Sequence, residues 1–278
     1  MLCVRSESSF GVYRHIFFRR IFVCLAVFLF IFPFLLSADT VTILFSTDED
    51  FSINLLQPTD DNVVTYSSST FDLSSLLPPG SLPAKVCIDA LGILSQNEIV
   101  ISLDEDATIN ATLYADEDLI QFNGSNFSLW WDGSLNGLPA QANLDAVYII
   151  SVSPQVFLFS LEENATLPGV GLVADEDVIR FSDGTFSIEI DGSSIGIPES
   201  ANIDGIGKRH YTQNYVFSLD GATTLGGKLY DDADVVEYTG SGFEMYFSSS
   251  VAGLPSQINI NAIELLGSTE VPTWMIFK

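Results

Sequence analysis

Basic residues are scarce in this chain of 278 residues. It holds ten lysines and arginines against 36 aspartates and glutamates, so its formal net charge is −26. Nucleic acids and anionic membrane surfaces are bound through clustered Lys and Arg side chains. The composition therefore excludes nucleic acid as a partner and, apart from an export signal, excludes a membrane. Cations, cationic partners or solubility remain as reasons for the acidity.

Cysteine is also rare, with three in the whole chain. Cys3 and Cys24 lie in an N-terminal segment that has the pattern of an export signal, so Cys87 is the single thiol of the expected mature protein. No intramolecular disulfide can form there. Secreted eukaryotic domains more often carry paired cysteines, which favours a bacterial exported protein.

Histidine is the third scarce residue, with two in the chain. His15 lies in the same N-terminal segment, which leaves His210 in a link that also holds Lys208 and Arg209. A Ser-His-Asp or Cys-His arrangement would need His210, and no nucleophile-elbow motif accompanies it. Histidine-based zinc sites fail for the same reason. We therefore predict that His210 is a surface loop residue and that the protein is not an enzyme.

Residues 1–38 are predicted to be a signal peptide. Arg14, Arg19 and Arg20 precede an unbroken apolar run over 21–36, and the small residues Ser37-Ala38 follow it. This order is typical of a cleaved export signal. An uncleaved anchor is the alternative, although the run is short for a bilayer span of about 20 residues. The expected location is outside the cytoplasm: secreted, periplasmic or at the cell surface.

The remaining chain, 39–278, repeats one unit four times. The units are 41–96, 97–154, 155–213 and 214–271, and each closes on a related phrase: LPAKVCIDALGI, LPAQANLDAVYI, IPESANIDGIGK and LPSQININAIEL. Four columns step together by 56, 59 and 57 residues. They are the acidic-turn column Asn62, Asp118, Asp177, Asp234; the aromatic column Phe71, Phe127, Phe186, Phe243; the proline column Pro83, Pro139, Pro198, Pro255; and the column Asp89, Asp145, Asp204, Asn261.

The local pattern within a unit predicts four short β-strands and no helix. In the third unit the strands are expected at 156–161, 177–181, 185–190 and 203–206, with a tight hairpin at Ser182-Asp183-Gly184. Four-stranded units without helices bury both faces when they stack around an axis, so the fold class predicted is an all-β propeller with four blades of four antiparallel strands.

The opening strand of the unit occurs a fifth time, as WMIFK at 274–278. We expect this closing strand, 272–278, to share a blade with the strand near 41–46, because propellers close their ring by such an overlap. The alternative is that a fifth unit is missing and that the chain is a fragment of a longer surface adhesin.

The units resemble the hemopexin-type four-bladed propeller. The resemblance covers 41–278 and rests on Leu-Pro, then Ile-Asp-Ala, then an aromatic strand such as Tyr215-Val216-Phe217. The units here are longer, lack the Trp expected in the outer strand and insert an acidic loop. In wording, LVADEDVIRFSDGTFSIEIDGSSIG is closer to repeats of uncharacterised exported bacterial proteins, a resemblance that implies no activity.

The column Asp89, Asp145, Asp204 and Asn261 is the predicted metal site. If its strands line the axis, these residues surround one mouth of the channel, and oxygen ligands from several segments suit Ca²⁺. The hemopexin resemblance implies an axial ion held largely by backbone oxygens near these positions. The alternative is structural: each Asp accepts backbone N–H groups and fixes the junction between blades.

The acidic turns are a second candidate for calcium. They are Asp104-Glu105-Asp106, Asp116-Glu117-Asp118, Asp175-Glu176-Asp177 and Asp231-Asp232-Ala233-Asp234. They lack the Gly and the distal Glu of a complete EF-hand loop, and solvated carboxylates are the simpler interpretation.

We therefore predict a non-catalytic binding or structural module, with calcium as its only expected cofactor and a protein or glycan as its ligand. A carboxylate-dependent glycosidase is the alternative, because such an enzyme needs only two acids. It predicts a deep cleft in which two acids break the repeat. Trp130, Trp131 and Tyr246 are candidates for stacking on sugar rings, and adjacent Trp130 and Trp131 must face opposite ways in a strand.

Overall fold

The computed structural model describes residues 42–266. Within this range the helices are short single turns, and none is long and apolar enough to cross a membrane. The predicted signal peptide at 1–38 and the predicted closing strand at 272–278 lie outside the described residues. The strands in chain order are β1 (Thr42–Thr47), β2 (Val64–Ser67), β3 (Thr70–Leu73), β4 (Ile88–Ser95), β5 (Glu98–Leu103), β6 (Ala107–Ile109), β7 (Thr112–Tyr114), β8 (Leu119–Phe122), β9 (Phe127–Trp131), β10 (Leu144–Ser151), β11 (Val156–Leu161), β12 (Ala165–Leu167), β13 (Gly171–Val173), β14 (Val178–Ser182), β15 (Thr185–Ile190), β16 (Asn202–Lys208), β17 (Tyr215–Asp220), β18 (Thr223–Leu225), β19 (Lys228–Tyr230), β20 (Val235–Tyr238), β21 (Phe243–Phe247) and β22 (Ile260–Leu266). The helices are α1 (Gly133–Asn136), α2 (Gly192–Ile195) and α3 (Ser249–Ala252).

The strands form four antiparallel sheets of four strands each, which are the blades of a β-propeller. From the axis outwards the orders are β22-β1-β2-β3, β4-β5-β8-β9, β10-β11-β14-β15 and β16-β17-β20-β21, and we number these blades 1 to 4. The innermost strands β4, β10, β16 and β22 each pack against the innermost strands of the two adjacent blades, so they surround a common axis. The predicted all-β, four-bladed propeller is confirmed.

Blade 1 closes the ring because it joins the two ends of the described chain. One edge of β1 pairs with β22, from Thr42↔Leu266 to Thr47↔Ile260, and its other edge pairs with β2. Within the described residues the overlap of chain ends is made by 260–266, the last strand of the fourth unit. Each blade is offset from the sequence unit by one strand, because the strand that ends a unit is innermost in the next blade.

Strand position within a blade explains the hydrophobic pattern. The second strand lies between neighbouring blades and is buried on both faces: all six side chains of β11 are buried, which requires an uninterrupted apolar run. The outermost strand is covered on one face only. In β15, Phe186 and Ile190 are buried while Thr185 and Ser187 are exposed, which is the alternation of a half-buried strand.

Aromatic rings fill the interface between blades 2 and 3. Trp131 of β9 is 3% exposed, and its ring lies 5.1 Å from the rings of Phe157 and Phe181, edge-on in both cases. Such edge-to-face pairs add about 0.5–1.5 kcal/mol each beyond the area they bury. Trp130 is half-buried, and its ring lies 5.6 Å from that of Phe157, so both tryptophans contact the same buried ring. They do not face opposite ways as predicted, because Trp130 lies at a β-bulge of β9, where the register with β8 shifts.

The structure contains two kinds of element that the sequence patterns did not predict. The hairpins β6-β7, β12-β13 and β18-β19 join the second and third strands of blades 2 to 4, and a four-residue helix follows the outermost strand of each of these blades. Helix α2 begins after Asp191, whose carboxylate accepts the N–H of Ser194 at 2.9 Å, and ends at Gly196 with φ +98°. Elements of three or four residues are too short to show a hydrophobic period.

Candidate functional site

A cavity of about 430 Å³ opens at one end of the propeller axis. The four predicted metal residues all line this cavity, because each stands near the start of an innermost strand. The carboxylates of Asp89, Asp145 and Asp204 are not a group whose oxygens all lie within 4.8 Å of one another; among the described residues that holds elsewhere. Two further columns, which had not been predicted from the sequence, also line the cavity. The twelve lining residues are the Asp column Asp89, Asp145, Asp204, Asn261; the Asn column Cys87, Asn143, Asn202, Asn259; and the outer acid column Asp48, Asp104, Glu162, Asp220. We call this cavity the acidic mouth.

Hydrogen bonds from the Asn column to the Asp column join adjacent blades. Asn143 Nδ2 in blade 3 donates to Asp89 Oδ2 in blade 2 at 2.7 Å. The same bond runs from Asn202 to Asp145 at 2.5 Å and from Asn259 to Asp204 at 2.9 Å. The Asp column therefore fixes the junctions between blades, as the structural alternative expected. The donor, however, is a side-chain amide of the next blade rather than a backbone N–H.

These bonds fix the orientation of the amides and leave their oxygens unpaired. Asn143 is 5% exposed, and its Oδ1 has no hydrogen-bond partner among the described residues, as is also true of Oδ1 in Asn202 and Asn259. Oδ1 of Asp204 and the hydroxyl of the neighbouring Ser218 also lack a partner of standard geometry, although the hydroxyl is close enough to lower the pKa of Asp204. Buried acceptors without a donor cost roughly 1–3 kcal/mol each, so they are rare unless water or an ion satisfies them.

The fourth junction, between blades 1 and 2, lacks the linking bond. At this junction Cys87 stands in place of the Asn donor, and Asn261 stands in place of the Asp acceptor. Asn261 Oδ1 instead accepts from Asn259 Nδ2 in its own strand at 3.2 Å. Burial raises the pKa of the Cys87 thiol, and the neighbouring carboxylate of Asp104 raises it further, so this cysteine is not activated as a thiolate.

Burial makes the carboxyl groups of the acidic mouth difficult to ionise. It raises the pKa of Asp89 to about 7, with a smaller contribution from the charge of Asp104. It also raises the pKa of Asp145 and Asp204 well above the ordinary range, and the charge of Asp204 adds to the effect on Asp145. No Lys or Arg is among the residues that line the mouth. A bound cation would supply the missing positive charge.

The outer acid column surrounds the mouth nearer to solvent. Asp48, Glu162 and Asp220 are exposed and Asp104 is half-buried. Each of these four residues lies at or just after the end of the second strand of its blade. It follows a serine of that strand by two positions, and this spacing could have been noticed in the sequence. Asp104 also accepts the backbone N–H of Cys87 at 2.7 Å. The predicted turn 104–106 is therefore divided, since Asp104 belongs to the mouth.

The last aspartate of three acidic turns, those at 116–118, 175–177 and 231–234, has a structural role. Asp177 accepts the backbone N–H groups of Ala174 and Gly192, both at 3.0 Å, and thereby holds the turn and the start of α2. Asp118 and Asp234 make the equivalent pairs of contacts in blades 2 and 4. These aspartates are clamps of the blade and have little capacity left for an ion.

Two acidic turns, 104–106 and 116–118, bring three carboxylates close together. Oxygens of Asp106, Asp116 and Glu117 lie within 4.8 Å of one another, and burial raises the pKa of Glu117 to about 7. The group could hold a metal ion, although exposed acidic groups are common without one. Blade 4 has Ala222 and Ala233 at two of the equivalent positions, so this group is not a feature of every unit.

The basic link predicted as a surface loop lies at the other end of β16 from Asp204. His210 is exposed there, and Arg209 makes an ion pair with Glu237 at 2.8 Å while its guanidinium lies over the ring of Tyr246 at 5.4 Å. This basic cluster thus contributes to blade packing and is remote from the acidic mouth.

Comparison with known proteins gives no family for this chain. No family model matches it, and no curated protein matches it. Among solved structures, it is similar to a chain of a nidogen/laminin complex, with a TM-score of 0.37, 8% identity, and coverage of 81% of this chain and 98% of that one. A protein of unknown function from Bacteroides caccae has a TM-score of 0.30 and 9% identity, with coverage of 74% of this chain and 56% of that one.

Proposed function

We propose that this protein is a non-catalytic binding module that acts outside the cytoplasm and holds a calcium ion in its acidic mouth. The observation that carries the proposal is the set of unpaired amide oxygens of Asn143, Asn202 and Asn259. Their amide nitrogens are held by carboxylates, so the oxygens cannot rotate to find a donor without breaking the blade links. A cation within reach of these oxygens would satisfy them without breaking the links.

Calcium fits this set of donors better than other common ions. It takes six to eight oxygen ligands in flexible geometry, and both carboxylate and amide oxygens are usual. Zinc prefers imidazole and thiolate, whereas the single thiol here, Cys87, has a raised pKa. Magnesium demands a tight octahedron and keeps several waters, which a ring built from four separate blades does not impose.

A non-catalytic role is supported by where the acids lie. The glycosidase alternative requires two acids that depart from the repeat and sit in a deep cleft. All seven carboxylic acids that line the mouth instead belong to two repeated columns. Equivalent acids arranged around the axis suit the binding of an ion on that axis. A glycosidase would instead need one acid to act as a proton donor and another to act as a nucleophile.

Thermal unfolding with and without calcium tests the proposal. At a calcium concentration of 100 times Kd, binding to the folded state adds about 2.7 kcal/mol of stability. For a domain of this size that corresponds to a rise in Tm of roughly 5–10 °C. Asp204→Asn keeps an oxygen for the Asn259 amide but removes a ligand charge, so we expect it to abolish most of this rise.

Glu244→Gln is the matched control, because Glu244 is an exposed acid of the outermost strand β21. It removes the same charge and should retain the full calcium effect. Asp204→Asn should also raise the Tm measured in EDTA, since it replaces a buried acid that has no cation beside it. An equal calcium effect in Asp204→Asn and in the unmodified protein would refute the site.

A further inference from the structure

We propose that blade 2 has a calcium site of its own, formed by the carboxylates of Asp106, Asp116 and Glu117. None of these residues lines the acidic mouth, so the inference does not depend on the function proposed for the mouth. It follows from the spacing of the three carboxylates, from the burial of one of them without a donor from another residue, and from the way this turn differs from its equivalents.

The three carboxylates are spaced like ligands around one calcium ion. One oxygen from each of Asp106, Asp116 and Glu117 lies within 4.8 Å of the other two. Calcium binds oxygens at about 2.3–2.6 Å, so oxygens on opposite sides of one ion are about 4.6–5.2 Å apart. Within 42–266, no other three residues among the histidines, cysteines and acids meet this spacing.

The carboxylate of Glu117 lacks the contacts that a buried charge requires. Glu117 is 5% exposed, and among the described residues only its own backbone N–H donates to it. Burial raises the pKa of Glu117 to about 7, with a smaller contribution from the carboxyl group of Asp116. Neither ion pair of the described residues involves these acids. A buried carboxylate is stable only beside a cation or several donors, so the site lacks a positive charge.

The surrounding backbone holds the three acids in this arrangement. Asp116 donates its backbone N–H to Asp106 Oδ1 at 3.3 Å, which joins the two turns. Asp118 accepts the N–H of Gly133 at 3.1 Å, and the stem of Glu117 packs against Gly133, where a Cβ would lie 2.7 Å from Glu117 Cγ. Ligands that are already held lose little conformational freedom when the ion binds.

The equivalent turns explain why the site belongs to blade 2. In blade 1, Asp61 stands at the position of Glu117, but its carboxylate accepts hydrogen bonds from two neighbouring side chains at 2.5 and 2.9 Å. In blade 3, Asn164 stands in place of Asp106 and accepts the equivalent backbone N–H at 3.0 Å, so one charge is missing. In blade 4, Ala233 replaces Glu117.

The ion closes the base of the hairpin β6-β7. Asp106 directly precedes β6, and Asp116 follows β7 by two residues. Asp106 is exposed and Asp116 is half-buried, which gives the ion a path from solvent and leaves its remaining positions to water. With few protein ligands, the expected Kd is about 10⁻⁴–10⁻³ M, as in extracellular calcium modules.

Calcium titration calorimetry of the full chain, together with hydrogen exchange over 107–114, tests the inference. Asp204→Asn is the common background, because it removes the contribution of the acidic mouth. In this background we expect one bound calcium ion and slower exchange of the hairpin amides in calcium than in EDTA. Asp106→Asn keeps an acceptor for the N–H of Asp116 and should weaken calcium binding by at least about tenfold. The fold should tolerate it, because blade 3 has Asn164 at that position.

Two further variants complete the design. Asp183→Asn removes the same charge from an exposed turn in blade 3 and should leave both readouts unchanged. Asn164→Asp restores the third acid beside Asp175 and Glu176, and it should add calcium binding in blade 3 with protection of the hairpin β12-β13.

The outcomes separate this inference from the function proposed for the acidic mouth. Calcium binding that survives Asp204→Asn and is lost on adding Asp106→Asn supports the site in blade 2, whether or not the mouth binds an ion. Equal calcium binding with and without Asp106→Asn overturns this inference alone. Calcium binding that Asp204→Asn abolishes completely also overturns it, while it supports the site in the mouth.

Discussion

Glu264 should make the stability of the propeller depend on pH. It lies in β22 at the position where the other innermost strands have Gly92, Tyr148 and Gly207, and it is 8% exposed. Its carboxyl oxygens accept the backbone N–H groups of Ile93 and Leu265, each at 3.2 Å. Burial nevertheless raises the pKa of Glu264 to about 8, because two N–H groups do not replace the lost hydration.

The direction and size of the effect follow from linkage. The folded-state pKa of Glu264 lies above the ordinary value of 4.5, so its contribution to stability is complete below pH 4.5 and is lost as the pH rises towards 8. While the folded state retains the proton and the unfolded state has lost it, the slope is about 1.4 kcal/mol per pH unit. Between pH 4.5 and 7 the loss is on the order of 3 kcal/mol.

Glu264→Gln removes the titration, and the difference between variant and unmodified protein isolates it from other groups. Urea unfolding at pH 5, 6, 7 and 8 should show the difference in unfolding free energy shifting in favour of Glu264→Gln by about 1.4 kcal/mol per pH unit. The fixed cost of the N–H group left facing the amide does not alter this slope. Tyr148, with its pKa raised to about 12, does not titrate in this range.

Glu244→Gln serves as the control, because it makes the same substitution at an exposed position of the outermost strand β21. A difference in unfolding free energy between Glu264→Gln and the unmodified protein that does not change with pH would refute the reasoning. It would mean that Glu264 ionises in the folded state at ordinary pH and that the axis is wetter than the structure indicates.

Two further predictions concern the short helices. Gly192→Ala places a Cβ 2.1 Å from the backbone oxygen of Glu176, so it should lower the free energy of urea unfolding by at least about 2 kcal/mol. The control Gly242→Ala, where the added Cβ has open space, should change that free energy by less than about 1 kcal/mol. Equal effects of the two substitutions would contradict the packing of Gly192 against Glu176. Ser248 makes no side-chain cap bond at the start of α3, unlike Asp191 at α2, so Ser248→Asp should raise stability by about 0.5–1 kcal/mol, and no rise would show that the cap geometry differs.

The repeat columns were sufficient to predict the propeller. Because the columns step together, insertions had to fall in loops, and a four-stranded unit of constant register has to stack on its neighbours. The strands of the third unit were predicted closely: 156–161 and 185–190 agree with β11 and β15. The gathering of Asp89, Asp145, Asp204 and Asn261 at one mouth also follows from the columns.

The rest depended on contacts between blades, which no local pattern records. The Asn column precedes the Asp column by two residues, but only the blade geometry shows that Asn143 donates to Asp89 rather than to its own strand. Likewise Asp104 appeared to belong with Asp106, but Asp104 lines the mouth, whereas the carboxylate of Asp106 lies beside those of Asp116 and Glu117. The one-strand offset between sequence units and blades cannot be read from the repeat, because a closed ring has no strand that must be counted first.

Locating the ion in a crystal of the protein grown with calcium tests the central claim most directly. Anomalous scattering should place one calcium ion in the acidic mouth, about 2.3–2.6 Å from Oδ1 of Asn143, Asn202 and Asn259. Waters alone at those oxygens, with calcium found instead at Asp106 and Asp116 or at no site, would contradict the account.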